Sequence, residues 1–241
     1  AKFLAMLVEE IEAKPLLPPY YPGMHMRYTE MVSAATKQGA QKSVFETAYP
    51  PKQYGESFGS RLPWTLLHLP ENIHLPEAPS QFSLTHEPFA PILSIASVPG
   101  DSGEDFLKNA TQFCNSKVMG TLSATLIAHP SIPAEAVEKA IDDLHYGCIG
   151  INTWTGRAYA FQAAPWGAPP GENIHDVTTG IGQVRNTHMF ENAVKSVIRS
   201  PFVHPQHVGC KRPLIGVPEA KATTDFLLHG GLINFMKYAQ Y

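Results

Sequence analysis

The three cysteines of this sequence are its candidates for nucleophilic chemistry, but their surroundings argue against that role. They are Cys114, Cys148 and Cys210. A nucleophilic thiolate needs an exposed, electropositive or helix N-terminal environment. Cys114 ends a helical stretch, Cys148 lies inside an apolar run, and Cys210 comes late in the chain after long loops. Their small, odd number and wide spacing favour reduced thiols in a cytoplasmic protein over a disulfide framework.

Metal-binding, phosphate-binding and hydrolase motifs give no stronger signal. His204 and His207 lie in a proline-containing stretch without a helical frame, so we predict no metal site there. The eleven histidines are otherwise scattered, and we interpret most of them as ordinary surface or core residues. Gly180 and Gly182 precede no clear helix, which argues against a dinucleotide fingerprint. The sequence has one G-x-S-x-G, Gly55-Glu-Ser-Phe-Gly59, in a polar stretch that lacks the strand–turn–helix context this motif needs, and it has no glycine-rich phosphate loop and no paired C-x-x-C.

The elements that must position these side chains are clearest in the middle of the chain. Runs of small and β-branched residues predict strands, and apolar residues at helical spacing predict helices between them. The predicted strands are 92–98, 121–128 and 148–152, and the predicted helices are 103–116 and 131–144. Strand–helix–strand–helix–strand predicts βαβ units and a mostly parallel sheet. The Gly-, Pro- and aromatic-rich stretch that follows Asn152 is typical of loops that line a site.

The flanking regions are less regular. We predict an amphipathic helix at 2–13, a second helix from about Tyr28 to Lys37, a polar surface excursion at 40–62 and a strand at 64–68. An apolar set near the C-terminus is interrupted by Gly230 and Gly231, which makes one continuous helix there doubtful. We predict that residues 1–241 form a single domain.

Composition excludes some classes of function. Hydrophobic residues make up 44% of the 241 residues and charged residues 16%, which suits a soluble protein with a substantial core. The formal net charge of −3 and the lack of a basic stripe argue against a nucleic-acid partner. No apolar run approaches the ~20 residues that a membrane helix needs, so we expect no membrane association.

Four short segments between Glu87 and Gly167 carry the most specific signal because of their order and spacing. They are Glu87–Pro91, Ala110–Asn115 followed by Met119–Ala124, Tyr146–Asn152 and Ala164–Gly167. Together they resemble the C-terminal half of the catalytic domain of aldehyde dehydrogenases. The resemblance implies a three-layer α/β/α fold with a mostly parallel sheet, and it makes this chain the C-terminal portion of such a domain, without the nucleotide-binding domain.

The resemblance also implies roles for individual residues. Glu87 and Phe89 match the Glu-x-Phe-Gly-Pro motif, whose Glu hydrogen-bonds the nicotinamide ribose and whose Phe packs beside the nicotinamide ring. A carboxylate can accept two ribose hydroxyl hydrogen bonds, and an aromatic edge can restrain a planar ring. The strand that ends at Asn152 resembles the family's Ala-Gly-x-Val-x-Val-Asn strand.

The family's substrate tunnel is lined by the loop after that Asn and by an aromatic residue near Pro-Phe-Gly. The candidate substrate-binding residues are therefore Asn152, Thr153, Trp154 and Trp166. The chain departs from the family pattern at several points: Ala90 replaces the Gly of the first motif, and Pro165-Trp-Gly-Ala replaces Pro-Phe-Gly-Gly. These differences place it in a divergent branch and leave the identity of the aldehyde open.

The family's nucleophilic Cys and general-base Glu lie upstream of the part that this chain matches. The resemblance therefore implies part of an NAD- or NADP-dependent enzyme that oxidises an aldehyde to a carboxylic acid, with no catalytic residue in this chain. Alone it is expected to be inactive and to bind the cofactor weakly. A small aldehyde is the expected substrate, and a homo-oligomer is possible. The alternatives are a non-catalytic aldehyde dehydrogenase-like scaffold or binding subunit, and a hydrolase that uses one of the thiols.

Overall fold

The computed structural model describes most of the N-terminal four-fifths of the chain. The described residues are 2–13, 21–45, 61–161, 163–171, 174–175, 177 and 180–203. The chain divides into two compact units, Ala1–Arg199 and Ser200–Tyr241. Almost everything described belongs to the first unit, and the predicted apolar set near the C-terminus lies outside the described residues. That residues 1–241 form a single domain stays a prediction.

Helices and strands alternate along the first unit. The helices are α1 (Lys2–Glu12), α2 (Met24–Lys37), α3 (Phe82–Thr85), α4 (Gly103–Lys117), α5 (Ala134–Asp143) and α6 (Gly156–Ala160), with a 3₁₀ turn at Glu71–His74. The strands are β1 (Gln41–Phe45), β2 (Trp64–His68), β3 (Ile92–Ile95), β4 (Ser123–Leu126), β5 (Cys148–Ile151), β6 (Trp166–Gly167), β7 (Gln183–Val184) and β8 (Ser196–Arg199). No described helix combines the length and apolar character needed to cross a bilayer.

The first three-stranded sheet has the order β1-β2-β3. β2 pairs antiparallel with β1 and parallel with β3, so that Leu67 lies opposite Lys42 on one side and Ser94 on the other. β2 is central, and Leu66 and Leu67 are among the most completely buried side chains. Leu67 packs in one core cluster with Met31 of α2 and Phe113 of α4. Helices that precede and follow this sheet in the sequence, α2 and α4, therefore both pack against it.

The second three-stranded sheet is entirely parallel, with the order β4-β5-β8. All four residues of β5 are buried, as expected for the central strand of a parallel sheet. Ile149 and Ile151 form a cluster with Ile141 of α5, and Cys114 of α4 packs against it. Because Phe113 belongs to the first cluster and Cys114 contacts the second, α4 packs on both sheets.

The predicted α/β fold with mostly parallel strands is confirmed, although its strands are divided among two three-stranded sheets and the two-stranded antiparallel sheet β6-β7. The predicted strands at 92–98, 121–128 and 148–152 are present with shorter bounds. The prediction of a surface excursion at 40–62 is wrong for 41–45, which form the edge strand β1. Its alternation of exposed and half-buried residues carries too little apolar character to be recognised as a strand. Residues 46–60 lie outside the described part of the chain.

The C-terminus of α5 is closed by side chains from two other elements. The last four carbonyl groups of a helix have no partner within it. The Lys195 ammonium donates hydrogen bonds to the carbonyl oxygens of Ile141 at 2.7 Å, Asp142 at 3.0 Å and Leu144 at 2.7 Å. Burial lowers the pKa of Lys195, and the Asp142 and Asp143 carboxylates oppose that effect.

Asn115 of α4 completes the closure of this helix end. Its amide nitrogen donates to the Asp143 carbonyl oxygen at 2.7 Å, and its amide oxygen accepts from the backbone N–H of His145 at 2.9 Å. The carbonyls of residues 141–144 are thus all satisfied. Lys195 immediately precedes β8, so the same contacts join β8, α5 and α4.

Replacing Lys195 by methionine tests this closure. Lys195→Met removes three charge-assisted hydrogen bonds and leaves the partly buried Ile141 carbonyl unpaired, so we expect the free energy of unfolding to fall by about 2 kcal/mol. Urea denaturation followed by circular dichroism measures this change. Lys139→Met is the matched control: Lys139 is exposed and pairs only with Asp143, one turn away on the same helix. Equal stability of the two variants would contradict the closure.

Candidate functional site

Glu87 and Phe89 lie on the short segment between α3 and β3. Glu87 is exposed, and no hydrogen bond or ion pair joins it to another described residue. Phe89 is 46% exposed and has a positive φ of 40°. That conformation is uncommon for any residue except glycine and is unfavourable for a bulky aromatic one. The segment therefore presents a free carboxylate beside a ring whose backbone is held in an unusual conformation.

Contacts from the start of α2 hold this ring. The edge of Tyr21 meets Phe89 at a centroid distance of 5.3 Å and an interplanar angle of 65°. The Arg27 guanidinium lies 5.9 Å from the centre of the Phe89 ring, and its Nε donates to the Pro88 carbonyl oxygen at 3.3 Å. Both residues were missed by the sequence reasoning, because no local pattern relates residues about sixty positions apart.

Asn152 has a structural contact in addition to its predicted role in substrate binding. It follows β5 with a positive φ of 55°, which asparagine adopts more readily than most residues. Its side-chain oxygen accepts a hydrogen bond from the backbone N–H of Ala128 at 2.8 Å, and its own N–H donates to the Leu126 carbonyl oxygen at 2.9 Å. These bonds tie the end of β5 to the end of β4, which leaves the amide nitrogen as the remaining polar group of the side chain.

Thr153 and Trp154 form a tight turn after Asn152. A Cβ on Gly150 would lie 2.6 Å from the Thr153 carbonyl oxygen, so the turn folds back closely onto β5. A Cβ on Gly156 would lie 2.4 Å from the Trp154 indole, so that ring rests against the glycine. Trp154 is nevertheless 59% exposed. The turn therefore displays a large aromatic surface to solvent at the carboxyl end of β5.

Trp166 of β6 belongs to a second aromatic group, which lies near the start of β5. Its ring meets Tyr159 of α6 edge-on at 5.6 Å and 76°. The Arg185 guanidinium lies 3.9 Å from the centre of the Tyr159 ring and donates a hydrogen bond to the Tyr159 carbonyl oxygen. Sequence reasoning did not identify Tyr159 or Arg185, and only the aromatic richness of the stretch after Asn152 pointed in this direction.

The positions of the two tryptophans follow from backbone contacts at the start of β5. A Cβ on Gly147 would lie 1.7 Å from the Gly167 carbonyl oxygen, so Trp166 is close to the residue that precedes β5. Trp154 follows the last residue of that strand. The two tryptophans therefore lie near opposite ends of β5. Tyr159, which follows Trp154 in the chain, contacts Trp166.

The predicted cofactor-binding and substrate-binding residues lie on different sheets. Glu87 and Phe89 precede β3 of the first sheet, whereas Asn152 and Trp154 follow β5 of the second. Within the described residues, no hydrogen bond or ring contact joins one group to the other.

Burial makes the described thiols poor nucleophiles. Cys148 is completely buried in β5, and burial raises the pKa of its thiol. Burial likewise raises the pKa of the Cys114 thiol. Tyr146 lies in the same core; burial and, to a smaller extent, Cys114 raise its pKa to about 12. Cys210 lies outside the described residues.

No metal centre is present among the residues that the structure describes. No three His, Cys, Asp or Glu side chains are grouped there in a way that could hold a metal ion. His204 and His207 lie beyond Val203, outside the described part, so the prediction for that pair stays a prediction.

Comparison with known proteins finds a similarity of structure but none of sequence. No protein-family model matches the chain, and no curated protein sequence matches it either. Among solved structures, a variant of an apo betaine aldehyde dehydrogenase from Staphylococcus aureus is similar, with a TM-score of 0.49 and 15% identity. The match covers 75% of this chain and 33% of that one, so the chain spans about a third of the length of that enzyme. At this identity the similarity concerns the fold alone.

Substitutions of Asn152 distinguish its structural contact from a role in ligand binding. We expect Asn152→Ala to lower the free energy of unfolding by about 2 kcal/mol. The substitution removes one hydrogen bond, and alanine is less favourable than asparagine at positive φ. Asn152→Asp keeps the accepting oxygen and should stay close to the wild type. Urea denaturation measures both, and an alanine variant as stable as the wild type would show that these contacts do not matter.

Alkylation by iodoacetamide tests the state of the thiols. In a Cys210→Ser variant, we expect Cys114 and Cys148 to react at neutral pH at least about tenfold more slowly in the native protein than in concentrated urea, because Cys148 is buried, Cys114 is half-buried and the pKa of each thiol is raised. Mass spectrometry of tryptic peptides gives the rate at each site. Rapid, selective alkylation of one native thiol would instead favour the thiol hydrolase.

Proposed function

We propose that this chain is part of an NAD- or NADP-dependent aldehyde dehydrogenase that oxidises an aldehyde to a carboxylic acid. The observation that carries the proposal is the segment before β3, where an exposed carboxylate, Glu87, stands beside the restrained ring of Phe89. In the resemblance described above, these two residues contact the nicotinamide ribose and ring. The chain would supply them together with part of the substrate-binding surface.

The geometry of the segment fits such a cofactor. No described residue hydrogen-bonds Glu87, so both carboxylate oxygens are available to a pair of ribose hydroxyls. Phe89 is held on one side by Tyr21 and Arg27 and is half exposed on the other, so a planar ring can pack against it. A bound nicotinamide would supply the hydride acceptor for oxidation of the aldehyde. Glu87 and Phe89 would orient it.

The substrate-binding part of the proposal rests on Thr153, Trp154 and Trp166. Trp154 presents an exposed ring at one end of β5, and Trp166 lies near the other end with Tyr159 against it. An extended aromatic surface of this kind can bury the apolar part of an aldehyde, at roughly 25 cal/mol per Å² of apolar area. Asn152 would hold the turn in place and offer its amide nitrogen to the substrate.

The nucleophilic Cys would belong to another part of the complete protein. Cys148 is buried and Cys114 half-buried, and the pKa of each thiol is raised, which disfavours the thiolate that attack on an aldehyde requires. A cytoplasmic location, a small aldehyde as substrate and the capacity to form a homo-oligomer are further parts of the proposal.

The same burial of the thiols also favours a second candidate, a non-catalytic scaffold or binding subunit with the same fold. The complete open reading frame separates the two candidates. An upstream nucleotide-binding domain followed by a Cys-bearing strand supports the enzyme, whereas a gene without these parts supports the scaffold.

Replacing Glu87 by glutamine in the complete protein tests the proposed cofactor role. We expect Glu87→Gln to raise KM for NAD(P) by about tenfold, because an amide accepts weaker hydrogen bonds from the ribose hydroxyls than a carboxylate does. Glu77→Gln, on another exposed loop, is the matched control and should leave KM unchanged. Steady-state reduction of NAD(P) with a panel of aldehydes provides the measurement.

The 241-residue chain by itself should give no measurable NAD binding by calorimetry, since it would contribute only part of the cofactor contacts. A micromolar affinity of the isolated chain, or an unchanged KM for the Glu87→Gln variant, would contradict the proposal.

A further inference from the structure

We propose that Arg27 is the positioning residue for Phe89 and that it fixes the conformation of the Pro88–Phe89 segment from α2. The consequence for nicotinamide binding rests on the function proposed above. The positioning itself is a property of this chain and can be tested without any ligand.

One guanidinium group makes three contacts at this point. Its Nε donates to the Pro88 carbonyl oxygen at 3.3 Å, and one terminal nitrogen donates to the Pro22 carbonyl oxygen at 2.8 Å. The plane of the group also lies near the Phe89 ring, 5.9 Å from its centre, within the range of a cation–π interaction. Arg27 therefore contacts the peptide on one side of Phe89 as well as its ring.

The conformation of Phe89 requires such a restraint. At a φ of 40° an aromatic residue pays a steric penalty that the segment alone does not relieve. The described contacts that counter it come from Tyr21 and Arg27, next to and within the first turn of α2. Residues held in uncommon backbone conformations are concentrated at functional sites.

The helix that carries Arg27 is itself anchored to the sheet. Met31 and Ala35 of α2 are buried in the core of the first sheet. The Tyr28 hydroxyl, next to Arg27, is 2.6 Å from the Thr65 hydroxyl of β2. The backbone N–H of Thr65 donates in turn to the Pro91 carbonyl oxygen at 2.9 Å. Pro88, just before Phe89, is therefore bonded to Arg27 of the helix that Tyr28 joins to β2. Pro91, just after Phe89, is bonded to β2 directly.

The backbone just before α2 passes close to the guanidinium. Gly23 precedes α2 with a φ of 73°, and a Cβ there would lie 3.4 Å from the same terminal nitrogen of Arg27. Lysine could not reproduce the arrangement, because the donors of an ammonium all leave one nitrogen, whereas the two donors here leave separate nitrogens of a planar group that also lies near the ring. The arrangement therefore requires arginine specifically.

Fluorine NMR of the ring at position 89 tests the inference. With 4-trifluoromethylphenylalanine in place of Phe89, we expect one narrow ¹⁹F resonance displaced from its position in the urea-unfolded protein. Arg27→Met should remove at least about half of that displacement and broaden the line, and Arg27→Lys should restore only part of it. Arg157→Met removes an arginine without a described contact to this segment and should leave the resonance unchanged.

A melting curve for each variant shows whether the fold is retained. Arg27→Lys keeps the charge and the stem of the side chain, so it serves where Arg27→Met fails to fold. An unchanged ¹⁹F resonance in a folded Arg27→Met or Arg27→Lys variant would overturn the inference.

Titration with NAD⁺ separates this inference from the proposed function. The same ¹⁹F probe detects weak binding, on the order of millimolar, that calorimetry misses. A shift by NAD⁺ in the wild type that is lost in Arg27→Met supports both the positioning and its consequence for the cofactor. If Arg27→Met changes the free resonance but NAD⁺ shifts neither protein, Arg27 still positions the ring, and the cofactor role of Phe89 is contradicted for this chain.

Discussion

The closure of the α5 C-terminus by Lys195 and Asn115 is the contact on which the second sheet depends. Four carbonyl groups at a helix end must find partners when the chain turns directly into a buried strand. Lys195 supplies three donors and Asn115 the fourth, so that the turn from Leu144 to Gly147 can enter β5 without an unpaired group. Because Lys195 lies just before β8 and Asn115 belongs to α4, the closure connects the entry to β5 with both of these elements.

The close packing of backbone around β5 also determines where the nearby aromatic residues lie. Gly147 and Gly150 allow backbone to approach at both ends of the strand, which brings Gly167 to its start and Thr153 back over its end. Any side chain at either glycine would push these segments away. The positions of Trp154 and Trp166 are therefore consequences of how β5 is packed, and a substrate that contacted both would have to lie along the strand.

The sequence was informative where burial and periodicity decide the structure, and less so where single long-range contacts do. The apolar runs around Ile149 predicted the parallel strands, and the same runs predicted that Cys148 is buried. The polar edge strand β1 was missed because Gln41, Lys42 and Val44 face solvent and leave no apolar pattern. Asn152 was interpreted only as a ligand-binding residue, although an asparagine directly after a buried strand also suits a positive φ and a backbone contact.

In the described part of the chain, the exposed segment that carries Glu87 and Phe89 is held in place, and the thiols are buried or half-buried. Of the described thiols, Cys148 is buried and Cys114 half-buried, both with raised pKa values, whereas Glu87 and the face of Phe89 point to solvent from a segment that is held on both sides. Fixing a ring before a ligand arrives reduces the conformational entropy lost on binding, so affinity and orientation depend on Arg27 and Tyr21 as well as on the residues in contact. If this segment orients the ligand and another part of the protein supplies the nucleophile, the segment must keep its conformation when no ligand is present. The left-handed conformation of Phe89, held from α2, meets that requirement.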